Sequence, residues 1–156
     1  MQTLILIFPV IISCLVAFVA WQQWQVAQNK LRLDLFDRRY KVFEAARKFV
    51  SQIISNGKFN DRDLMEFNVG TSDTKFLFGS DVVGYLEKLR ENAIDIRHHQ
   101  KLYENLAPGS DRSYHVEAEH DQLLWFTRQF ECHVMTNTFA PYLDFSYVKI
   151  KVFTLR

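Results

Sequence analysis

The first 29 residues of the chain carry no charged side chain, and this feature limits what the chain can fold into more than any other. Within this stretch, Leu4–Trp21 is an almost purely apolar run of 18 residues. At about 1.5 Å per residue, the run forms a helix about 27 Å long, which just spans the hydrocarbon core of a bilayer. We therefore predict a transmembrane anchor over residues 1–22.

Residues that are typical of a membrane interface follow the run. Trp21 and Trp24 are three positions apart on one helix face, where an aromatic belt would lie. Basic residues come next, and cytoplasmic flanks of a span are rich in Lys and Arg. We expect a single-pass protein of the cell inner membrane with its C-terminal part in the cytoplasm. The predicted membrane-interface residues, with lipid as their partner, are Trp21, Trp24, Lys30, Arg32, Arg38 and Arg39.

Three other interpretations fit the apolar run less well: a cleaved signal peptide, a lipoprotein signal and a buried helix of a soluble protein. A signal peptide begins with basic residues, and Met1–Thr3 has none. A lipidated cysteine is normally followed by polar residues, whereas Cys14 is followed by Leu-Val-Ala-Phe. The sequence favours a retained anchor.

The composition indicates one folded domain beyond the anchor. The chain has 156 residues, and its 14 Phe, 6 Tyr and 3 Trp supply enough bulky apolar surface for a packed core. Its formal net charge of +1 does not favour nucleic acid as a partner. Cys14 and Cys132 lie in different kinds of segment, so we expect neither a disulfide framework nor a CxxC zinc site.

Apolar spacing after the anchor predicts helices. Residues 23–57 are predicted to form a juxtamembrane amphipathic helix, because apolar residues recur mostly three and four positions apart. Gly57 is expected to end this helix. Asp63 and Glu66 fit the capping signature of a short helix. Lys75–Phe78 is expected to form a helical turn.

Residues 58–145 are predicted to form a helical cytosolic domain that contains an antiparallel helical hairpin. Ser80 is the expected N-cap of its first long helix, and the second starts near Asp111. A connection of about five residues favours antiparallel packing, and Ala140-Pro141 is expected to end helical structure. The predicted inward stripes are Val82, Leu86, Leu89, Ala93, Ile96, His99, Tyr103 and Leu106 in the first helix, and Val116, His120, Leu123, Phe130 and Val134 in the second, with Leu124 and Phe126 widening the second stripe.

Residues 146–156 form a basic tail in which polar and apolar side chains alternate with period two. Val148 and Ile150 share one face, and Lys149 and Lys151 share the other. The alternation predicts a C-terminal β-strand that pairs with another copy or another protein, and a loosely packed terminus is the alternative. The predicted fold class is mainly α, with an N-terminal transmembrane helix that continues into a small cytosolic helical domain.

Charge is segregated along the chain. Lys30–Lys58 has eight basic and three acidic residues, whereas Asp61–Asp144 has eight basic and fifteen acidic. The basic segment adjoins the anchor, where each Lys or Arg near an anionic membrane contributes about 1 kcal/mol to binding. These charges predict contact with lipid headgroups. The alternative is that they mark the cytoplasmic side and solvate a helix face.

The segment directly after the anchor, Asn29–Ala45 (NKLRLDLFDRRYKVFEA), resembles a broad group of small bacterial single-pass membrane proteins of unknown function. Four further motifs are similar to that group in order and spacing, and the resemblance covers most of Trp24–Phe145. It implies a bacterial inner-membrane setting and brings no activity and no catalytic or binding residue with it. The four motifs are Phe76–Gly79, Val83–Leu86, Trp125-Phe126 and Phe139–Leu143.

The sequence contains no recognisable catalytic motif. Its five glycines match neither GxxxxGK[ST] nor GxGxxG, and HExxH does not occur. His99 and His120 lie on the predicted inward stripes at similar distances from the turn. The favoured interpretation is that one or both are neutral histidines hydrogen-bonded inside or at the edge of the core. The alternative is a zinc or other transition-metal site in which His99 and His120 are the candidate ligands, with Glu117 and His98 or His115 nearby. We expect no cofactor and no enzymatic activity.

Two functions fit these patterns. The favoured one is a non-enzymatic, membrane-anchored cytosolic interaction module that binds a protein partner or itself. The alternative is a ligand-gated oligomeric membrane effector, of a defence or stress type, in which a change in the cytosolic helices perturbs the membrane. The residues themselves do not separate these two functions.

Overall fold

A computed structural model of the chain describes residues 2–57, 59–104 and 110–144, with side chains over 9–57, 59–102 and 113–144. These residues form helices only, so the described part of the protein is mainly α, as predicted. The predicted tail, 146–156, and the turn of the predicted hairpin lie outside the described residues. The helices are α1 (Gln2–Asn56), α2 (Asp61–Gly70), α3 (Thr74–Leu77), α4 (Ser80–Glu104), α5 (Ser110–Glu131) and α6 (Val134–Leu143).

The chain divides into two compact units, Met1–Asp37 and Arg38–Arg156. In the first unit, α1 carries a window of 18 residues near the N-terminus with a mean hydropathy of 1.5. None of this window is buried, and every described side chain from Pro9 to Ala27 is exposed. A core helix of a soluble domain buries its apolar side chains, whereas this window of α1 does not. By length and composition it is able to cross a membrane.

The core of the second unit begins with the last five turns of α1. Their buried residues recur three and four positions apart, as in any helix that buries one face. In α4, the five apolar residues predicted to lie inward between Val82 and Ile96 are all buried, which confirms that part of the stripe. His99 is partly buried, and the predicted Tyr103 and Leu106 side chains lie outside the described residues. The buried apolar residues of the unit are Val42, Ala46, Phe49, Val50, Ile53, Phe59, Phe67, Val82, Leu86, Leu89, Ala93, Ile96, Phe126, Met135 and Phe139.

Aromatic rings make up two centres of this core. Phe49 stacks on Phe67 with ring centroids 4.5 Å apart and meets the edge of Phe59 at 5.5 Å. Phe139 of α6 forms edge contacts with Phe43 and Phe78, both at 5.3 Å. Each such pair contributes about 0.5–1.5 kcal/mol beyond the burial of its area. These phenylalanine contacts therefore join helices that are distant in sequence.

The N-terminus of α2 is capped one turn earlier than the sequence predicted. Asn60 is the N-cap, its side chain accepts a hydrogen bond from the N–H of Asp63, and the Asp63 carboxylate accepts one from the N–H of Asn60. The predicted capping interaction between Asp63 and Glu66 was wrong. Glu66 instead accepts hydrogen bonds from Lys48 at 2.7 Å and from Arg62 at 3.3 Å.

The second long helix was predicted to continue through Val134, but α5 ends at Glu131. His133 has a left-handed backbone conformation with φ 52°, and α6 starts at the next residue. Pro141 lies inside the last turn of α6, so it does not block the helix, which ends two residues later at Leu143. The predicted end at Ala140-Pro141 was therefore too early.

The predicted inward stripe of α5 was only partly right, because Phe126 is buried and Leu123 packs against the core, whereas other members of the stripe are exposed. Val116 and Phe130 are 46% and 43% exposed, and His120 is exposed as well. Among the described side chains of α5, the buried ones are Glu119, Phe126 and Gln129, so the helix is rotated relative to the predicted stripe. The sequence misled here because two of these three residues are polar, and buried polar residues are not part of an apolar stripe.

Candidate functional site

The buried face of α5 is polar but hydrogen-bonded. The Gln100 side-chain amide of α4 donates to Oε1 of Glu119 at 2.6 Å. The Gln129 side-chain amide donates to the backbone carbonyl of Trp125 at 3.1 Å. Buried polar groups that lack a partner cost about 1–3 kcal/mol each, so these bonds explain how α5 can bury this face.

Beside its buried face, α5 exposes three apolar side chains and one histidine. Val116, His120, Leu124 and Phe130 fall within about 120° of one another at about 100° per residue, and we call them the outer face of α5. Leu124 is 42% exposed, similar to Val116 and Phe130.

An apolar groove adjoins this outer face at Phe130. It consists of two concave regions of about 360 and about 620 Å³ that share Phe43 and Thr136. We call the two regions together the groove. Its lining residues come from α1, α5, the α5–α6 junction, α6 and the residue that follows it, and they are Phe43, Arg47, Gln129, Phe130, His133, Met135, Thr136, Ala140, Pro141, Leu143 and Asp144.

The groove combines apolar walls with a basic group at one end. Phe43, Phe130 and Leu143 offer apolar contact area, and Arg47 adds a basic group at one end. Grooves of this kind accept the apolar side chains of a protein segment, because burial of each such side chain stabilises the complex by about 1.5–3 kcal/mol. The groove was not predicted, since it exists only where three helices meet.

Arg39 helps to hold the walls of the groove together. Its Nε donates to the carbonyl of Leu77, the last residue of α3, at 2.9 Å, and its NH1 donates to the carbonyl of Tyr142, near the end of α6, at 3.2 Å. The guanidinium also lies 5.9 Å from the ring centroid of Phe78 and 5.4 Å from that of Tyr142. Carbonyls at helix C-termini carry partial negative charge, so a cation is stabilising there.

The structure places the predicted membrane-interface residues in both units. Trp21 and Trp24 are 53% and 57% exposed in the first unit. Lys30 is exposed there, and Arg32 is partly exposed. Arg38 and Arg39 begin the second unit, where Arg38 is exposed. Arg39 differs from the others because protein carbonyls and rings surround its charge.

The two candidate metal ligands do not face each other. His99 lies 2.9 Å, Nδ1 to Nδ1, from His115 rather than close to His120, and both His120 and Glu117 are exposed. The reason is the rotation of α5 described above, which turns His115 and Glu119 inward. Within the described residues, no group of three or more His, Cys, Asp or Glu side chains is arranged to hold a metal ion.

Comparison with known proteins adds no relative. No family model matches the chain, and no curated protein and no solved structure matches it. The resemblance of Asn29–Ala45 to small bacterial membrane proteins therefore stays a prediction. Arguments about function rest on the groove, the outer face of α5 and the apolar N-terminal helix.

Proposed function

We propose that this protein is a non-enzymatic interaction module anchored in the bacterial inner membrane by a single span, with its helical unit in the cytoplasm. In this proposal α4 and α5 form an antiparallel hairpin, and the outer face of α5 together with the groove binds a protein partner or a second copy. The anchor concentrates the module at the membrane. The observation that carries the proposal is the apolar outer face of α5, which continues into the groove at Phe130.

The distribution of polarity on α5 supports this proposal. The helix buries Glu119 and Gln129 and exposes Val116, Leu124 and Phe130. Exposure of three large apolar side chains on one helix face is unfavourable in water, at about 25 cal/mol per Å² of apolar area. A partner that covers this face removes the cost, which is the usual reason for such a surface.

Photo-crosslinking in cells tests the proposal. A photoreactive phenylalanine analogue replaces Leu124 or Phe130 in the full chain, and the matched controls carry it at Glu91 or Asp95, which are exposed on α4. We expect adducts at the two α5 positions and few at the α4 positions. An adduct of twice the chain mass identifies self-association, and another mass identifies a partner.

A charged variant sharpens this experiment. Leu124→Asp places a carboxylate on the outer face without touching the core, so adduct yield from position 130 should fall at least tenfold. Glu91→Lys changes charge on α4 and should leave that yield unchanged. Equal yields at positions 91, 95, 124 and 130 in the parent chain would rule out an interaction surface on α5.

The proposed orientation in the membrane has its own test. Exposed Trp21 and Trp24 and the basic residues that follow them support a span with a cytoplasmic C-terminal side. Fluorescent protein fused after Arg156 should fluoresce, and alkaline phosphatase fused there should be inactive, because the enzyme requires the periplasm. The reverse pattern would contradict the proposed topology.

The alternative function is a ligand-gated oligomeric membrane effector. One observation favours it: α1 is a single helix from Gln2 to Asn56, so one element contains both the apolar window and core residues of the second unit. Expression of the full chain and of a chain without residues 1–21 separates the two functions. Loss of membrane potential that requires residues 1–21 supports the effector, and unchanged growth and potential with both chains supports the interaction module.

A further inference from the structure

His99 and His115 bring two ring nitrogens together from different helices. The two Nδ1 atoms lie 2.9 Å apart, one on α4 and the other on α5, and both side chains are partly buried. A neutral imidazole has one N–H and one lone pair. At this distance one Nδ1 donates and the other accepts, so the ligand-free pair holds one proton between the rings.

The same distance suits a metal ion bound by both nitrogens. Metal–imidazole bonds are about 2.0–2.1 Å long, and an ion at that distance from two nitrogens 2.9 Å apart subtends an N–metal–N angle of about 90°. This is the angle between neighbouring ligands in square-planar and octahedral complexes. A tetrahedral ion would need the nitrogens about 3.3 Å apart. Imidazole nitrogen is a ligand that Ni²⁺ and Cu²⁺ bind tightly among divalent first-row metals.

We propose that His99 and His115 form a binding site for a divalent transition metal of the Ni²⁺ or Cu²⁺ type, with both Nδ1 atoms as ligands. In the described residues, no third His, Cys, Asp or Glu completes a set of ligands, so water occupies the other positions. Both rings bind as the tautomer with hydrogen on Nε2. The proton that lies between the two Nδ1 atoms in the metal-free pair moves through solvent to Nε2 of the ring that carried it. Metal binding by the neutral pair therefore releases no net proton.

Aromatic rings border the pair on the helix surface. The ring of Tyr114 lies 6.5 Å from that of His99 and 5.4 Å from that of His115, and the ring of His98 lies 5.9 Å from that of His99, centroid to centroid. These rings limit the movement of both imidazoles. A metal ion held by the pair would link α4 to α5 beside the Gln100–Glu119 hydrogen bond and would stabilise the folded state only.

Calorimetry with Ni²⁺ tests the proposal on the full chain in detergent, without a polyhistidine tag and after treatment with a chelator. We expect one Ni²⁺ per chain, and binding at least tenfold weaker in both His99→Ala and His115→Ala. His120→Ala is the matched control, because the His120 side chain is exposed on α5. It should bind Ni²⁺ like the parent chain.

X-ray absorption at the nickel edge supplies a second measurement that does not depend on variants. Two imidazole ligands and about four oxygen ligands are expected from the proposed site. Parent-like binding in His115→Ala would overturn the proposal, as would loss of binding in His120→Ala. Absence of Ni²⁺ binding by the parent chain at millimolar metal would overturn it equally.

Discussion

The Tyr142 hydroxyl donates a hydrogen bond to Oδ1 of Asp81 at 2.7 Å, and this bond joins α6 to the first turn of α4. The same hydroxyl oxygen accepts a hydrogen bond from the backbone N–H of Gly79 at 3.2 Å. The bond from Tyr142 lowers the pKa of Asp81 below its ordinary value of 3.8. The bond to Asp81 raises the pKa of Tyr142 above its ordinary value of 10.0.

Tyr142→Phe should lower the Tm of the full chain, because it removes both hydrogen bonds. Because the pKa of Asp81 is lowered in the folded protein, its carboxylate stabilises the fold at pH values above the pKa that aspartate has in the unfolded chain. This contribution is lost as the pH falls through the pKa of Asp81 in the folded protein. Because the pKa of Tyr142 is raised in the folded protein, its protonated hydroxyl stabilises the fold at pH values below the pKa that tyrosine has in the unfolded chain. This contribution is lost as the pH rises through the pKa of Tyr142 in the folded protein. The Tm difference from the parent should therefore be largest between about pH 4 and pH 10.

Circular dichroism melts of the full chain in detergent, recorded from low to high pH, measure this difference. Tyr114→Phe serves as the control, since Tyr114 is 65% exposed and lies far from Asp81 in the sequence. Its melts should match those of the parent at each pH. A Tm difference for Tyr142→Phe that does not change with pH would mean that the hydrogen bond to Asp81 contributes nothing.

Gly70→Ala should destabilise the protein, whereas Gly84→Ala should not. A Cβ atom at Gly70 would lie 2.6 Å from the Cβ of Ala45, so α1 and α2 would have to separate. Overpacking of this kind costs about 1–3 kcal/mol. At Gly84, inside α4, a Cβ meets nothing within 4 Å, and alanine should gain about 0.5–1 kcal/mol from helix propensity.

Urea unfolding of the two glycine variants in the full chain checks their opposite signs. The double variant Ala45→Gly with Gly70→Ala removes the clash and should recover part of the loss. If Gly70→Ala proves as stable as Gly84→Ala, the close approach of α1 and α2 at this point is wrong.

Arg39→Ala should destabilise the second unit, and the neighbouring Arg38→Ala should have little effect. Arg39 donates to carbonyls of Leu77 and Tyr142, and removal of a charged, partly buried hydrogen-bonding group costs about 1.5–3 kcal/mol. Arg38 is exposed, so its loss should cost less than about 0.5 kcal/mol. Arg39→Lys should fall between the two, because an ammonium does not reproduce the planar guanidinium.

Thermal melts of these three arginine variants in the full chain give the comparison. Association with anionic vesicles, measured in parallel, separates a role in folding from a role at the membrane. Equal stability of Arg39→Ala and Arg38→Ala, together with weaker vesicle association of Arg39→Ala alone, would assign Arg39 to the lipid interface instead.

Tyr85→Phe should leave the protein as stable as the parent or stabilise it by about 1 kcal/mol. The Tyr85 hydroxyl is buried and makes no hydrogen bond within the described residues, and burial raises its pKa. The ring itself contacts Phe139 with centroids 6.4 Å apart, and phenylalanine retains that contact. A loss of more than about 1 kcal/mol in urea unfolding would show that the hydroxyl has a partner.

Local patterns were sufficient for the apolar N-terminal helix and for α4. The transfer of a continuous apolar run out of water depends on that run alone, so its exposure in α1 follows from the residues themselves. In α4, the apolar stripe from Val82 to Ile96 is the only one available, and the core forms against it. Neither inference needed the position of any other helix.

The buried face of α5 could be read only in part from its sequence, because two of its three buried residues, Glu119 and Gln129, are polar. Burial of Glu119 depends on Gln100, which lies nineteen residues earlier in the sequence and donates the hydrogen bond that offsets desolvation. The same rotation of α5 selects His115 instead of His120 as the neighbour of His99. Pairing between helices decided both outcomes, since a polar group can be buried only where a partner meets it.

The sequence by itself thus determined the helical class, the apolar N-terminal helix and the stripe of α4, all of which depend on residues close together in the chain. Tertiary structure alone decided the groove, the His99–His115 pair and the placement of Arg39 between the ends of α3 and α6. The reason is physical: hydrophobic periodicity is a local property, whereas hydrogen-bond partners and concave surfaces arise only when separate helices come together.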